Sequence, residues 1–332
     1  MKLLLTILAF VLLGPTATVG QNVSSFTQEI STEGVSQQSS IPAYIDSRFK
    51  SLLLLPYKEA LDSLNLFMEK TPGDRELIYY RTWCHFINGE FFKAYEDATL
   101  YLNQRSSNYY YGYVLLAKIQ FERLSKFQAL QALDQAIALE PKKPEAYLEK
   151  SKIYVSTKNL EEGLTFVQKC IKLFPNESRF YIYRGYLFSD SDNAKKAIAN
   201  FNTYLNSPSA TDSTALMQAY FGLGKSYLMI KNFNEALAQT NRGLQLSPDH
   251  SPGYGLRGEI YFRLKDYDAA LKDFKKMEEE LKASYYWIMI ANIYEIKGDL
   301  EMACSYYNQH CNLFHNTEGC SKLRKLNCKG AK

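Results

Sequence analysis

The side chains with the most reactive chemistry gather at one end of the chain. Cys304, Cys311, Cys320 and Cys328 are four of the six cysteines, and His310 and His315, two of the four histidines, lie among them. Thiolate and imidazole are common zinc ligands. The offsets from His310 to Cys311 and to His315 point the ligand atoms around a helix rather than onto one face, so neither a metal site nor a cofactor is expected. The acidic run Glu278-Glu279-Glu280 reads as solvated helix surface. No nucleophile elbow, phosphate loop or dinucleotide fingerprint occurs; no catalytic residue is nominated, and the chain is read as a non-enzyme.

Disulfides are the other chemistry open to these cysteines. If an antiparallel helix pair turns near Phe314 to Thr317, residues equidistant from the turn face each other, which pairs Cys311 with Cys320 and Cys304 with Cys328. The two cysteines on each helix are seven or eight residues apart and so share a face. A disulfide holds its alpha carbons closer than ordinary helix packing does, and four small apolar core residues are the alternative. Cys170 is expected to be a buried free thiol, and Cys84, beside Trp83, is left open.

Helix pairs of this kind are expected along most of the chain. Alanine or glycine stands at Ala60, Ala94, Ala129, Gly163, Ala197, Ala236, Ala270 and Ala303, with gaps of 34, 35, 34, 34, 39, 34 and 33 residues. That period belongs to a helical hairpin repeat. A second row of small residues, Thr82, Ala117, Ser151, Gly185, Gly224, Gly258 and Ala291, lets the first helix of each pair approach the second. Tyr154, Phe188, Tyr227, Tyr261 and Tyr294 are expected to fill the space between neighbouring pairs, and Pro72, Pro141, Pro175 and Pro248 to end second helices. The expected fold is all-α, with eight hairpins at residues 41–74, 75–109, 110–143, 144–177, 178–216, 217–250, 251–283 and 284–317, then a capping helix and tail over 318–332. Five extra residues around Ser207 to Ala215 lengthen the connection between the fifth and sixth units.

The succession Tyr220, Gly224, Tyr227, Ala236, Pro248, repeated as Tyr254, Gly258, Tyr261, Ala270, Phe274, resembles the tetratricopeptide repeat (TPR) family over residues 41–317. The resemblance implies a right-handed alpha-alpha superhelix, a TPR-like solenoid whose concave face, lined by first helices, holds a protein or peptide segment. The family's contact positions fall here on Tyr79, Trp83, Phe86, Lys118, Phe121, Lys152, Tyr186, Phe221, Lys225, Phe262 and Arg263. An aromatic trough with cations at Lys118, Lys152 and Lys225 suits a segment carrying acidic groups; ordinary solvated lysines are the alternative. The first unit departs from the pattern at Arg48 and Ser51 and reads as an end cap. The tail is similar to the end of exported bacterial repeat proteins, with Asp299, Ala303 and Cys304, then Cys320, Leu323, Leu326 and Cys328, forming the lid that a last hairpin needs.

Residues 1–20 read as a secretory signal peptide: Lys2 opens it, an apolar run from Leu3 to Leu13 follows, and Gly14-Pro15 breaks it ahead of small residues. Residues 21–40 read as a flexible Ser/Gln-rich leader. No run approaches the roughly 20 apolar residues of a membrane span, so the expectation is an exported protein, periplasmic or extracellular and soluble after cleavage. The net charge of +4 is spread without basic clusters, which argues against a nucleic-acid partner. The function expected is a non-catalytic protein-interaction scaffold. With 26 tyrosines, the alternative is a glycan- or substrate-binding component of an envelope uptake or assembly system.

Overall fold

The computed structural model describes residues 47–72, 74–103, 109–281, 286–314 and 318–328. The expected signal peptide, the leader, residues 41–46 of the first repeat and His315 lie outside them. Every regular element among the described residues is a helix. In order they are α1 (Ser47–Leu53), α2 (Tyr57–Lys70), α3 (Glu76–Ile87), α4 (Phe91–Asn103), α5 (Tyr110–Glu122), α6 (Lys126–Leu139), α7 (Glu145–Ser156), α8 (Leu160–Leu173), α9 (Arg179–Asp190), α10 (Ala194–Leu205) and α11 (Ser213–Met229). Then come α12 (Phe233–Leu246), α13 (Ser251–Arg263), α14 (Tyr267–Leu281), α15 (Trp287–Ile296), α16 (Leu300–Phe314) and α17 (Glu318–Lys325). The described residues fall into two compact units, one within 47–230 and the other within 231–328.

Steric permission explains the pairing. All eight residues of the alanine/glycine row are buried, as are all seven of the second small-residue row. Phe201 shows how little room is left. A Cβ added to Gly222 would lie 2.3 Å from its ring, and one added to Gly185 2.8 Å. The aromatic row Tyr154, Phe188, Tyr227, Tyr261 and Tyr294 is less deeply placed than expected, because only Tyr154 is fully buried.

The helix ends follow local chemistry. Helices α2, α6, α8 and α12 each stop two residues short of Pro72, Pro141, Pro175 and Pro248, where the missing N–H and the restricted preceding residue forbid another turn. The Tyr147 hydroxyl donates to the Pro141 carbonyl at 3.1 Å and that of Tyr254 to Pro248 at 2.8 Å, tying each following helix to the loop before it. Between first and second helices of the second to eighth repeats the chain turns through one left-handed residue each: Gly89, Leu124, Lys158, Asp192, Lys231, Lys265 and Gly298, with φ between 51° and 82°. Five of the seven carry a side chain, and the hydrogen bonds that close such a turn, as from Asn159 N–H to the Tyr154 carbonyl at 3.1 Å, hold them in a region that favours glycine. The insertion after the fifth repeat lengthens a helix as well as a loop: α11 starts at Ser213, capped by Asp212, whose carboxylate accepts from Ala215 N–H at 2.9 Å.

A polar clamp recurs on several first helices. Arg81 on α3 donates to Asp97 on α4 at 2.7 and 2.8 Å and to Asn65 on α2 at 3.3 Å, each partner being 16 residues away. Arg257 on α13 repeats the geometry with Asp273 on α14, at 2.7 and 2.9 Å, and Asn241 on α12, at 3.1 Å. Arg184 on α9 does the same with neutral partners, Asn200 at 2.6 Å and Gln168. Where the third repeat would place this pair, on α5 and α6, Leu116 and Ala132 stand instead.

The last hairpin is closed by α17. Cys304 is joined to Cys328 and Cys311 to Cys320, with alpha carbons 5.6 and 4.8 Å apart. Leu323 and Cys328 are buried against Tyr306 and Tyr307, and Lys322 pairs with Glu295 at 2.8 Å.

Candidate partner-binding face

The first helices divide the eleven expected contact residues into two groups. Trp83 and Phe221 are wholly buried, and Tyr79, Tyr186 and Lys225 nearly so. These five are core rather than contact surface, which corrects the sequence-based expectation. Trp83 packs edge-on against Phe86 with ring centroids 5.6 Å apart. Tyr186 stacks edge-on with Phe201 and its hydroxyl donates to the Gln218 carbonyl at 2.7 Å. Lys225 pairs with Asp190 at 3.0 Å, both side chains only 3% exposed. A lysine this deep is held by its counter-charge and is not offered to a ligand.

The second group stays at the surface. In the larger unit Phe86, Lys118, Phe121 and Lys152 are half-buried; in the smaller, Phe262 is half-buried and Arg263 exposed, 3.6 Å from Glu259. Lys118 on α5 bonds Glu149 on α7. Burial would raise the Glu149 carboxyl, but Lys118 and Lys152 together hold it below the usual carboxylate range. Glu122, one turn beyond Lys118, moves the other way, because burial outweighs the attraction of Lys152 and Lys118. Lys118, Glu122, Glu149 and Lys152 therefore form one charge-balanced quartet across two successive first helices, with Phe121 beside it. On α9, burial raises the Tyr183 hydroxyl, and Glu149 pushes in the same direction. Each of the expected cations, Lys118, Lys152 and Lys225, faces an acid.

The buried cysteines offer no nucleophile. Burial pushes the Cys84 thiol up to about 11 and that of Cys170 up to about 12, so both stay protonated near neutrality. No cluster of three metal-ligating side chains occurs among the described residues, and no described helix is long and apolar enough to cross a membrane.

Three segments, residues 144–177, 251–278 and 284–313, match the family model described as tetratricopeptide repeat. Those three segments are tetratricopeptide repeats. The chain's fold is shared with a tetratricopeptide repeat protein from Parabacteroides merdae, at 19% identity over 76% of this chain and 98% of that one, with a TM-score of 0.53. It is shared also with PilW, described as a type IV pilus biogenesis factor, at 18% identity over 66% of this chain and all of that one, with a TM-score of 0.57. Cut9, in complex with Hcn1, aligns at 13% identity over 93% of this chain and 63% of its own, with a TM-score of 0.64. No curated protein matches the chain. Two of the family-model segments begin at 144 and 251, the starts of the fourth and seventh expected repeats, and the third covers 284–313. The quartet Lys118, Glu122, Glu149 and Lys152 is not evident from the sequence. The helical offsets from Lys118 to Glu122 and from Glu149 to Lys152 were available, but pairing across a 31-residue separation, as in Lys118 to Glu149, is a property of the hairpin stack.

Proposed function

We propose that this protein is a non-catalytic interaction scaffold that holds a segment of a protein partner on its first helices. The observation that carries the reading is the half-buried quartet Lys118, Glu122, Glu149 and Lys152 beside Phe121. Partly desolvated charges next to a half-buried aromatic side chain are what a specific polypeptide contact uses for register and anchoring. Because the cations already have acids, the partner segment carries both signs with an apolar anchor, rather than an acidic run.

The test exchanges the charges without breaking their pairing. Lys118→Glu combined with Glu149→Lys keeps an ion pair on α5 and α7 but inverts its pattern. A photo-crosslinker at Phe121 should trap a partner in the native envelope with the wild-type chain and lose it with the exchanged pair, while thermal melting stays close to wild type. Equal trapping by both would reject the reading.

Export to an oxidising compartment is part of the proposal. Two disulfides in the last hairpin suit a periplasmic or extracellular setting, since cytosolic thiols are kept reduced. The amino terminus of the mature protein is the check: Gln21 is expected there, and an intact Met1 would rule out cleavage.

A further inference from the structure

The third repeat carries an open cleft at the place where the second, fifth and seventh repeats carry the arginine clamp. At its position for the clamp arginine stands Leu116, and at the position of the clamp acid stands Ala132. Between α5 and α6 this leaves a cavity of about 480 Å³, lined by these two residues and by Tyr113, Gln120, Gln128, Gln131, Asp134 and Gln135. The cleft is open to solvent: Gln128, Gln131, Asp134 and Gln135 on its rim are exposed, and Leu116, Gln120 and Ala132 on its floor are buried.

Its chemistry is specific. Four of the lining side chains are primary amides. Among the described residues, the side chains of Gln128, Gln131 and Gln135 make no hydrogen bond or ion pair. Gln120 is only 8% exposed, and its Oε1 is buried without a hydrogen-bond partner. A buried acceptor left unpaired is a standing penalty that a donor entering the cleft would relieve. The single lining charge, Asp134, is met by Lys150 of the next repeat, so a charged ligand finds no free counter-ion. The Tyr113 ring is half-buried and supplies an apolar face.

We propose that this cleft binds a neutral sugar residue. An amide presents a donor and an acceptor side by side, which matches the paired donor and acceptor character of vicinal hydroxyl groups. A hydroxyl supplies the donor that Gln120 lacks, and the C–H face of a pyranose lies against Tyr113. A peptide occupant would need apolar side-chain pockets, and the aliphatic lining here is limited to Leu116 and Ala132. The site is independent of the first-helix quartet, and its failure would leave the scaffold reading untouched.

The test is calorimetric titration of the full chain with glucose, galactose, mannose, N-acetylglucosamine and their disaccharides. Saturable millimolar binding of at least one is expected, weakened about tenfold or more by Gln128→Ala. Leu116→Arg with Ala132→Asp rebuilds the clamp inside the cleft and should abolish binding. If that double variant melts far below wild type, Gln131→Ala, a surface change, serves in its place and should weaken binding. No saturable binding across the panel overturns the proposal. So does binding that Gln128→Ala and Gln131→Ala leave unchanged, or saturable binding of a neutral tripeptide in place of every sugar.

Discussion

His250 caps α13 by accepting a hydrogen bond from Gly253 N–H at 3.1 Å on Nδ1. It is 1% exposed, and burial pushes its imidazole down from 6.5 to about 4. Between those values the unfolded chain binds a proton that the folded chain refuses. Stability from this group is therefore complete above pH 6.5 and is lost progressively toward pH 4, by about 3 kcal/mol in all. Urea midpoints measured from pH 7 to 4 should fall, and His250→Asn, which keeps a capping acceptor, should flatten part of that fall. An unchanged slope would show that the imidazole is not buried neutral. Gly222→Ala tests the packing of Phe201 and is expected to destabilise by about 1 to 3 kcal/mol through overpacking, read as a lowered denaturation midpoint. Small residues such as Gly185 and Ala236 were legible in the sequence because their role is steric and repeats with the period. Lys225 was not, since a lysine reads as solvent-facing until Asp190, 35 residues earlier, is placed against it. Trp83 and Phe221 share this difficulty: aromatic side chains serve core and contact surface alike, and only the neighbouring helices decide.

Clamped helices differ from unclamped ones in what their removal would leave behind. Hydrogen bonding to Asp273, opposed by burial, raises the Arg257 guanidinium, whereas burial lowers that of Arg184, whose acceptors Asn200 and Gln168 are neutral. Arg257→Leu strands the Asp273 carboxylate, only 5% exposed, and should lower stability by about 2 to 4 kcal/mol. Arg184→Leu leaves an amide behind and should lower it by about 1 to 2 kcal/mol. Chemical denaturation of the two variants side by side gives the comparison, and equal losses would deny that the charge on the acceptor matters. Helix existence and pairing were legible from the 34-residue rows and from prolines such as Pro141 and Pro248. The clamp was not, because its three members lie on three helices. The first-to-second turns were missed for a different reason: Leu124, Lys158, Asp192, Lys231 and Lys265 adopt a conformation that the sequence signals only at Gly89 and Gly298.

In a stack of hairpins each pair contacts its neighbours, so damage at one end stays near that end. Reducing the disulfides of the last hairpin should release α17, at about 2 to 4 kcal/mol of local stability. Hydrogen exchange after reduction should then quicken around residues 300–328 and stay unaltered over 110–205. Exchange that quickened throughout would mean that the molecule unfolds as one cooperative body. The all-helical architecture was open to sequence reasoning because a single steric rule recurs along the chain, and the lid was legible from the phase of its cysteines. The partition at residue 230 was not, since the period runs through it without a break.

A series of near-equivalent hairpins contains no internal reason to stop. Left bare, the final pair could receive the opening pair of another molecule as its next layer, and growth by head-to-tail addition would give fibres. The covalently fastened α17 occupies that docking position. The end of the stack is thereby written into two disulfides, and the barrier to such growth depends on a redox reaction.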